Sequence, residues 1–426
     1  MTNAPAACTR AGWRMARARR LALSLLAAAA LAACAPAQRA AAPAAPRPAP
    51  QAPAEARVNL MAPAPVALLL PMSAGGAVAA EAQGIANAAR MAIEELGPDA
   101  VTLSIIDTGT GERSGERSGD RSGERSGASG AAAATRRALD GGAALILGPL
   151  FAADAAQAGR IAAQRGVNVI SFSTSADVAG GNVWLAGQLP SDEARRIIGF
   201  ARDRGFARIG LFRPDTPYGL AALDAVRGAA GGALVAQGVY NRSFEGIQAA
   251  AKPYADQHLA AGADAVVLPE EGQGLRTVAA FLDFEGVSPR EGKYLGLGIW
   301  AKDPDVRKES SLQGGWFAAA DPFRRDAFAR RYAARFGEAP QWLTPLGYDV
   351  AAAAVAMMRA GREQRLETPF DAAAITDPAG FAGATGRVRF TRDGLNTRAL
   401  AVLEVTGDGF LVVDPAPRAP GEAAGF

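Results

Sequence analysis

Few residues of this 426-residue chain could carry covalent chemistry: it has two cysteines, Cys8 and Cys34, and one histidine, His258. A zinc-type metal site needs several thiolate or imidazole ligands gathered together, and a nucleophile needs a base to take its proton. Neither set can be assembled from this inventory. His258 follows Gln257 in an apolar, helix-like stretch, where a structural histidine is the ordinary outcome. The glycine-rich stretches lack the spacing of a dinucleotide or phosphate loop. No catalytic residue, metal ligand or cofactor is therefore expected, and the chain reads as a protein that is not an enzyme.

Cys34 is a different case. From Met15 the chain runs through a short basic stretch and an apolar run, Leu21 to Ala33, into Leu31-Ala32-Ala33-Cys34. Residues 1–33 read as a secretory signal, too short to span a bilayer comfortably. The last four residues resemble the lipobox of bacterial lipoproteins, which implies lipidation of Cys34 through a thioether. Several acyl chains anchor firmly, since each buried methylene contributes about 0.8 kcal/mol. Met15 is an alternative start, because residues 1–14 add nothing a signal needs. With the signal removed one thiol remains, so no internal disulfide is expected. Ala35, where an aspartate is absent, points by the same resemblance to the periplasmic side of the outer membrane.

Bulk charge fits an exported protein. The formal charge is +3, but Arg10, Arg14, Arg17, Arg19 and Arg20 all precede Cys34 with no acid among them, so the remainder carries −2. The basicity belongs to the targeting segment, and no nucleic-acid partner is expected. Residues 34–65 are rich in Ala and Pro and read as a linker; as polyproline II, about 30 residues reach up to ~90 Å.

With 49% hydrophobic and 20% charged residues the rest is globular. Short apolar runs alternate with helical patterns: strands Val66–Leu70, Val101–Ile106, Ala144–Leu147 and Asn168–Phe172, with helices Ala80–Leu96, Ala131–Leu139 and Ala153–Arg165 between them. A second series starts near Ser191 and runs to Tyr294–Leu297. The fold class is α/β, two doubly wound parallel sheets. Amphipathic helices follow over about Pro322–Phe336 and Pro345–Arg359, and antiparallel strands over Gly386–Phe390, Ala399–Val405 and Phe410–Val413. Residues 111–127 repeat GERS-like units that can bury no apolar face, so 111–130 is expected to be a disordered insertion.

The phrases VALLLPMSAGG, SIIDTG, ALILGPLFAADAAQAGRIAAQRGVNVISFST, RIGLFRPDTPYGLAAL and LTPLGYDVAAAAVA, in that order, resemble the type I periplasmic-binding family. The closest resemblance is to penicillin-binding protein activators with an LpoA-like carboxyl domain. The resemblance implies one two-lobed domain over 66–413. Its first lobe would hold about 66–188 and 320–380, its second about 189–316 and 386–413, with crossovers near 188–191, 316–320 and 380–386. It also implies a cleft in which loop hydroxyls and amides hold a ligand carboxylate and an acid holds an ammonium group. Ser73, Ser173, Thr174, Ser175 and Tyr218 match that cleft. Gly298-Ile299-Trp300 stands where the acid usually is, and Glu270, or its neighbour Glu271, is the candidate substitute. Local capping by the Ser-Thr-Ser run and a solvated turn at the acid pair are the plainer readings.

Two functions follow. A lipid-anchored regulator would bind and activate a class A penicillin-binding protein in peptidoglycan synthesis. The alternative is a substrate-binding lipoprotein of an ABC importer for branched-chain or related amino acids, with a small molecule in the cleft.

Overall fold

The computed structural model describes residues 55–109 and 126–417. The signal segment, Cys34, most of the linker and residues 110–125, with nearly all of the GERS repeat, lie outside the described residues; the rest of the expected disordered insertion, 126–130, is instead the start of a helix, Ser126–Asp140.

The first lobe is built by β1 (Ala64–Leu70), α1 (Gly76–Leu96), β2 (Val101–Asp107), α2 (Ser126–Asp140), β3 (Leu145–Leu147), α3 (Ala152–Ala163), β4 (Asn168–Ser171) and β5 (Val183–Leu185). Its sheet has the order β2-β1-β3-β4-β5, and every neighbouring pair is parallel. Strand β1 shows why an apolar run becomes a strand here: Val66, Leu68 and Leu70 feed one core while Ala67 and Leu69 feed the core on the other face.

The second lobe contains α4 (Pro190–Asp203), β6 (Ile209–Pro214), α5 (Pro217–Ala230), β7 (Leu234–Tyr240), α6 (Phe244–Ala260), β8 (Ala265–Val267), α7 (Gly272–Phe284), β9 (Lys293–Gly296) and β10 (Trp316–Ala320). The chain then returns to the first lobe with α8 (Pro322–Phe336), α9 (Thr344–Gln364), the short α10 (Ala372–Ile375) and a three-stranded antiparallel sheet, β11 (Phe381–Gly383), β12 (Gly386–Phe390) and β13 (Asn396–Arg398). Strands β14 (Leu400–Thr406) and β15 (Gly409–Asp414) close the second sheet, whose order is β15-β14-β10-β9-β8-β6-β7. Alternate residues of β6 again serve opposite cores, Phe212 on one face and Ile209 and Leu211 on the other.

The two lobes and their three passages agree with the expected architecture, but two passages sit elsewhere. Residues 316–320 are not a connection: Trp-Phe-Ala-Ala-Ala forms β10, parallel to β9 and antiparallel to β14. The chain leaves the second lobe only after Ala320. The third passage lies at Arg398–Leu400 rather than 380–386, because Phe381, Ala384, Val388 and Phe390 pack into the core shared with α1 and α9.

The late helix α9 is tied to the first lobe through close approach to α1. A Cβ on Gly347 would stand 2.1 Å from the carbonyl oxygen of Ile85, so only glycine permits that contact. Before β1, the Val58 N–H donates to Glu367 O at 2.8 Å, and the Arg362 guanidinium donates to the carbonyls of Leu60 and Ala62 at 2.9 and 3.2 Å. The chain therefore joins the folded body ahead of its first strand.

Candidate functional site

In parallel sheets the strands end at a common edge, and loops at that edge collect the polar groups. In the first lobe the loop after β4 is held by a ladder of serines. The Ser171 hydroxyl donates to Pro149 O at 2.8 Å, the Ser173 N–H donates to the Ser171 hydroxyl at 3.1 Å, and the Ser175 N–H donates to the Ser173 hydroxyl at 3.1 Å. Ser171 and Ser173 are buried and brace the loop, while Thr174 is exposed and Ser175 half-buried at its tip.

In the second lobe the β6–α5 junction has a well-formed helix start. Thr216 is the N-cap and accepts from the Gly219 N–H at 3.1 Å, and Pro217 occupies the first turn, where it needs no donor. This sets Tyr218 on the inner wall.

Between the loop and this junction lies a cavity of about 550 Å³. Thr174, Ser175 and Asp177 line it from the first lobe, Tyr218, Leu220 and Asp224 from the second, and Leu189, Pro190 and Ser191 from the first passage. Its size is that of an ordinary small-molecule site. Tyr218 lines this cavity, but its hydroxyl is buried and has no hydrogen-bond partner among the described residues. Burial and the nearby Glu193, Glu271 and Glu270 carboxyls push its pKa well above the usual phenol range.

The expected site residues are thus only partly brought together. Thr174, Ser175 and Tyr218 share the cavity, Ser173 lies beneath it, and Ser73 is exposed on the loop after β1, its N–H donating to Asp107 at 3.2 Å. Glu270 is not a free ligand for an ammonium group. It is 2% exposed, accepts from the Tyr240 hydroxyl at 3.0 Å and the Glu271 N–H at 3.0 Å, and pairs with Arg242 at 2.8 Å. Glu271 pairs with Lys302 at 2.9 Å.

Sequence reasoning missed Glu193. In Pro190-Ser-Asp-Glu it resembles a solvated acid in the first turn of a helix, yet it is 4% exposed. It accepts from the Gly298 N–H at 3.0 Å, and a Cβ at position 298 would fall 2.4 Å from its other oxygen. Gly298, where an acid was sought, is instead the small residue that admits an acid from another element. Desolvation first, and the charge of Asp192 in addition, push the Glu193 carboxyl up to about 8 against the pull of the Gly298 N–H. Asp177, Asp224 and Ser191 were missed too, since surface-type residues on turns and helices carry no signal until a cleft forms around them. Among the described residues there is no cluster of His, Cys, Asp and Glu able to hold a metal, and no helix long and apolar enough to cross a membrane.

The sequence profile described as periplasmic binding protein matches residues 124–409. A search of curated proteins finds no match. Among solved structures, one from Rhodospirillum rubrum, provisionally described as a branched-chain amino acid ABC transporter, is similar at 21% identity and TM-score 0.66, over 82% of this chain and 100% of its own. The leucine-binding protein LivK of Thermotoga maritima is similar at 20% identity and TM-score 0.54, over 83% and 98%. An ABC transporter substrate-binding protein of Desulfitobacterium hafniense in complex with Leu follows at 17% identity and TM-score 0.58, over 82% and 99%. At these identities the likeness establishes the fold.

One expectation is corrected. The role of an activator of a class A penicillin-binding protein does not hold: the structures it resembles are binding proteins of ABC transporters, not such activators.

Proposed function

The chain belongs to the periplasmic binding protein family, and from that premise we propose that it is the solute receptor of an ABC-type importer, holding an amino acid or related small amphiphilic solute between its lobes. The observation that carries the reading is the cavity at the hinge. A solute there touches both lobes at once, so binding and lobe closure are coupled, and a solute that favours the closed form shifts the population toward it. The hydroxyls of Thr174 and Ser175 and the ring of Tyr218 supply orientation, and Leu220 and Leu395 supply apolar contact.

The test is a thermal-shift panel of amino acids, small carboxylic acids and amines on the purified protein. A true solute at one hundred times its Kd adds about 2.7 kcal/mol of stability. A panel without any stabilisation would count against the receptor reading.

The proposal includes lipidation of Cys34, with the Ala- and Pro-rich residues after it as tether to the inner membrane that holds the permease, in place of the outer-membrane sorting expected from Ala35. Growth with a labelled fatty acid is expected to mark the wild-type protein and leave the Cys34→Ala variant unmarked. Equal labelling of the two would refute the anchor.

A further inference from the structure

The charge on the cleft wall is one-sided. Among the residues lining the cavity are two carboxylates, Asp177 in the turn after β4 and Asp224 on α5, and no lysine or arginine. Of the acids behind the wall, Glu270 pairs with Arg242, Glu271 with Lys302 and Asp192 with Arg195 at 2.7 Å, while burial pushes the Glu193 carboxyl up to about 8. Asp177 and Asp224 have no ion-pair or hydrogen-bond partner among the described residues, and both are exposed to the space between the lobes.

They also stand on opposite lobes. A ligand bearing positive charge would draw the two walls together, whereas a carboxylate ligand would meet a negative wall with no cation to receive it. A second feature points the same way. Tyr218 lines the same cavity, and an aromatic ring attracts a cation placed over its face within about 6 Å of the centroid. Its buried hydroxyl is left without a protein partner.

Resting on the receptor reading, we propose that the solute is an organic cation: an amine with an apolar body, its charge held between Asp177 and Asp224 beside the Tyr218 ring and its carbon chain against Leu220 and Leu395. This differs from the neutral amino acids named for the solved structures. Protonated amines remain charged across the physiological range, so binding should weaken with added salt rather than with a modest change of pH.

Calorimetric titration with 1,5-diaminopentane, leucine and benzoate tests the assignment. The diamine is expected to bind, and Asp177→Asn and Asp224→Asn to weaken it about tenfold each, the loss of one charge-assisted contact. Both positions are exposed, so the variants should fold; retained melting temperature checks this. Diamine binding indifferent to both substitutions overturns the proposal. Binding of leucine or benzoate without the diamine overturns it while leaving the receptor reading intact. If none of the three binds, and the wider thermal-shift panel is also silent, the receptor reading falls and the cation assignment with it.

Discussion

Replacing Arg398 by methionine is expected to cost on the order of 3–5 kcal/mol, because it strands a buried carboxylate. Arg398 lies at the end of β13, where the chain crosses between lobes for the third time. Its guanidinium pairs with Asp349 of α9 at 2.7 Å, and the two side chains are only 6% and 3% exposed. The same guanidinium donates to Ala186 O at 2.6 Å, and the Arg398 backbone N–H donates to Asp192 at 2.7 Å. One residue thus ties α9 of the first lobe, the first passage and the start of α4 to the third passage. Asn396, two residues earlier, adds bonds to the carbonyls of Leu185 and Gly187 at 2.7 and 2.9 Å.

The penalty arises from the charge left behind, not from the pair as such, and a second variant separates the two. Asp349 also accepts from the Ala384 N–H at 2.7 Å, so asparagine preserves that bond and removes the charge. Urea unfolding should place Arg398→Met far below wild type and Arg398→Met with Asp349→Asn part of the way back. A double variant no more stable than the single one would rule out the stranded charge as the cause.

The second large effect is a pH dependence at Glu193. Its carboxyl is at about 8 in the folded protein against an ordinary value of 4.5. Between these values the unfolded chain has lost the proton and the folded one keeps it. The unfolded state therefore binds fewer protons, and stability falls as pH rises from about 4.5 to 8 and is flat above. At ~1.4 kcal/mol per pH unit the loss is bounded at roughly 5 kcal/mol. Asp154, raised to about 6 by desolvation, acts in the same direction but only in the lower part of that range.

Glu193→Gln keeps an acceptor for the Gly298 N–H and carries no charge. Its stability should match wild type near pH 4.5 and exceed it by roughly 2–4 kcal/mol above pH 8, less than the bound because buried sites relax. Urea midpoints at pH 4.5, 7 and 8.5 give the answer; parallel profiles for the two proteins would show that Glu193 ionises in the fold without penalty. The wild-type chain keeps this acid buried against Gly298, where its charge also bears on Tyr218, at a cost to stability that the amide avoids.

What was legible in the sequence was what depends on near neighbours. Runs such as Val66–Leu70 and Ile209–Phe212 carry no polar side chain because both faces of a parallel strand are covered, and helices between them follow from their own periodicity. The loop after β4 is braced by equally short-range bonds between serines two positions apart, but the expected capping is not among them, since the Ser175 side chain makes no cap bond to the turn that follows. The Trp316–Ala320 strand was misjudged as a connection because five residues without alternation look alike in a buried strand and in a linker.

Tertiary structure alone decided which acids are available to a solute. Glu270 and Glu193 are carboxylates in helix-start or turn contexts, and nothing beside them announces that one is held by Arg242 and the other by the N–H of Gly298. Asp349 and Arg398 stand 49 residues apart in the chain and meet only because the third passage brings β13 back beside the first. Charge is long-ranged and its cost depends on burial, and burial is a property of the folded chain. The sequence by itself therefore determined the α/β class and the two lobes. Only the fold decided that the carboxylates left open between them are Asp177 and Asp224.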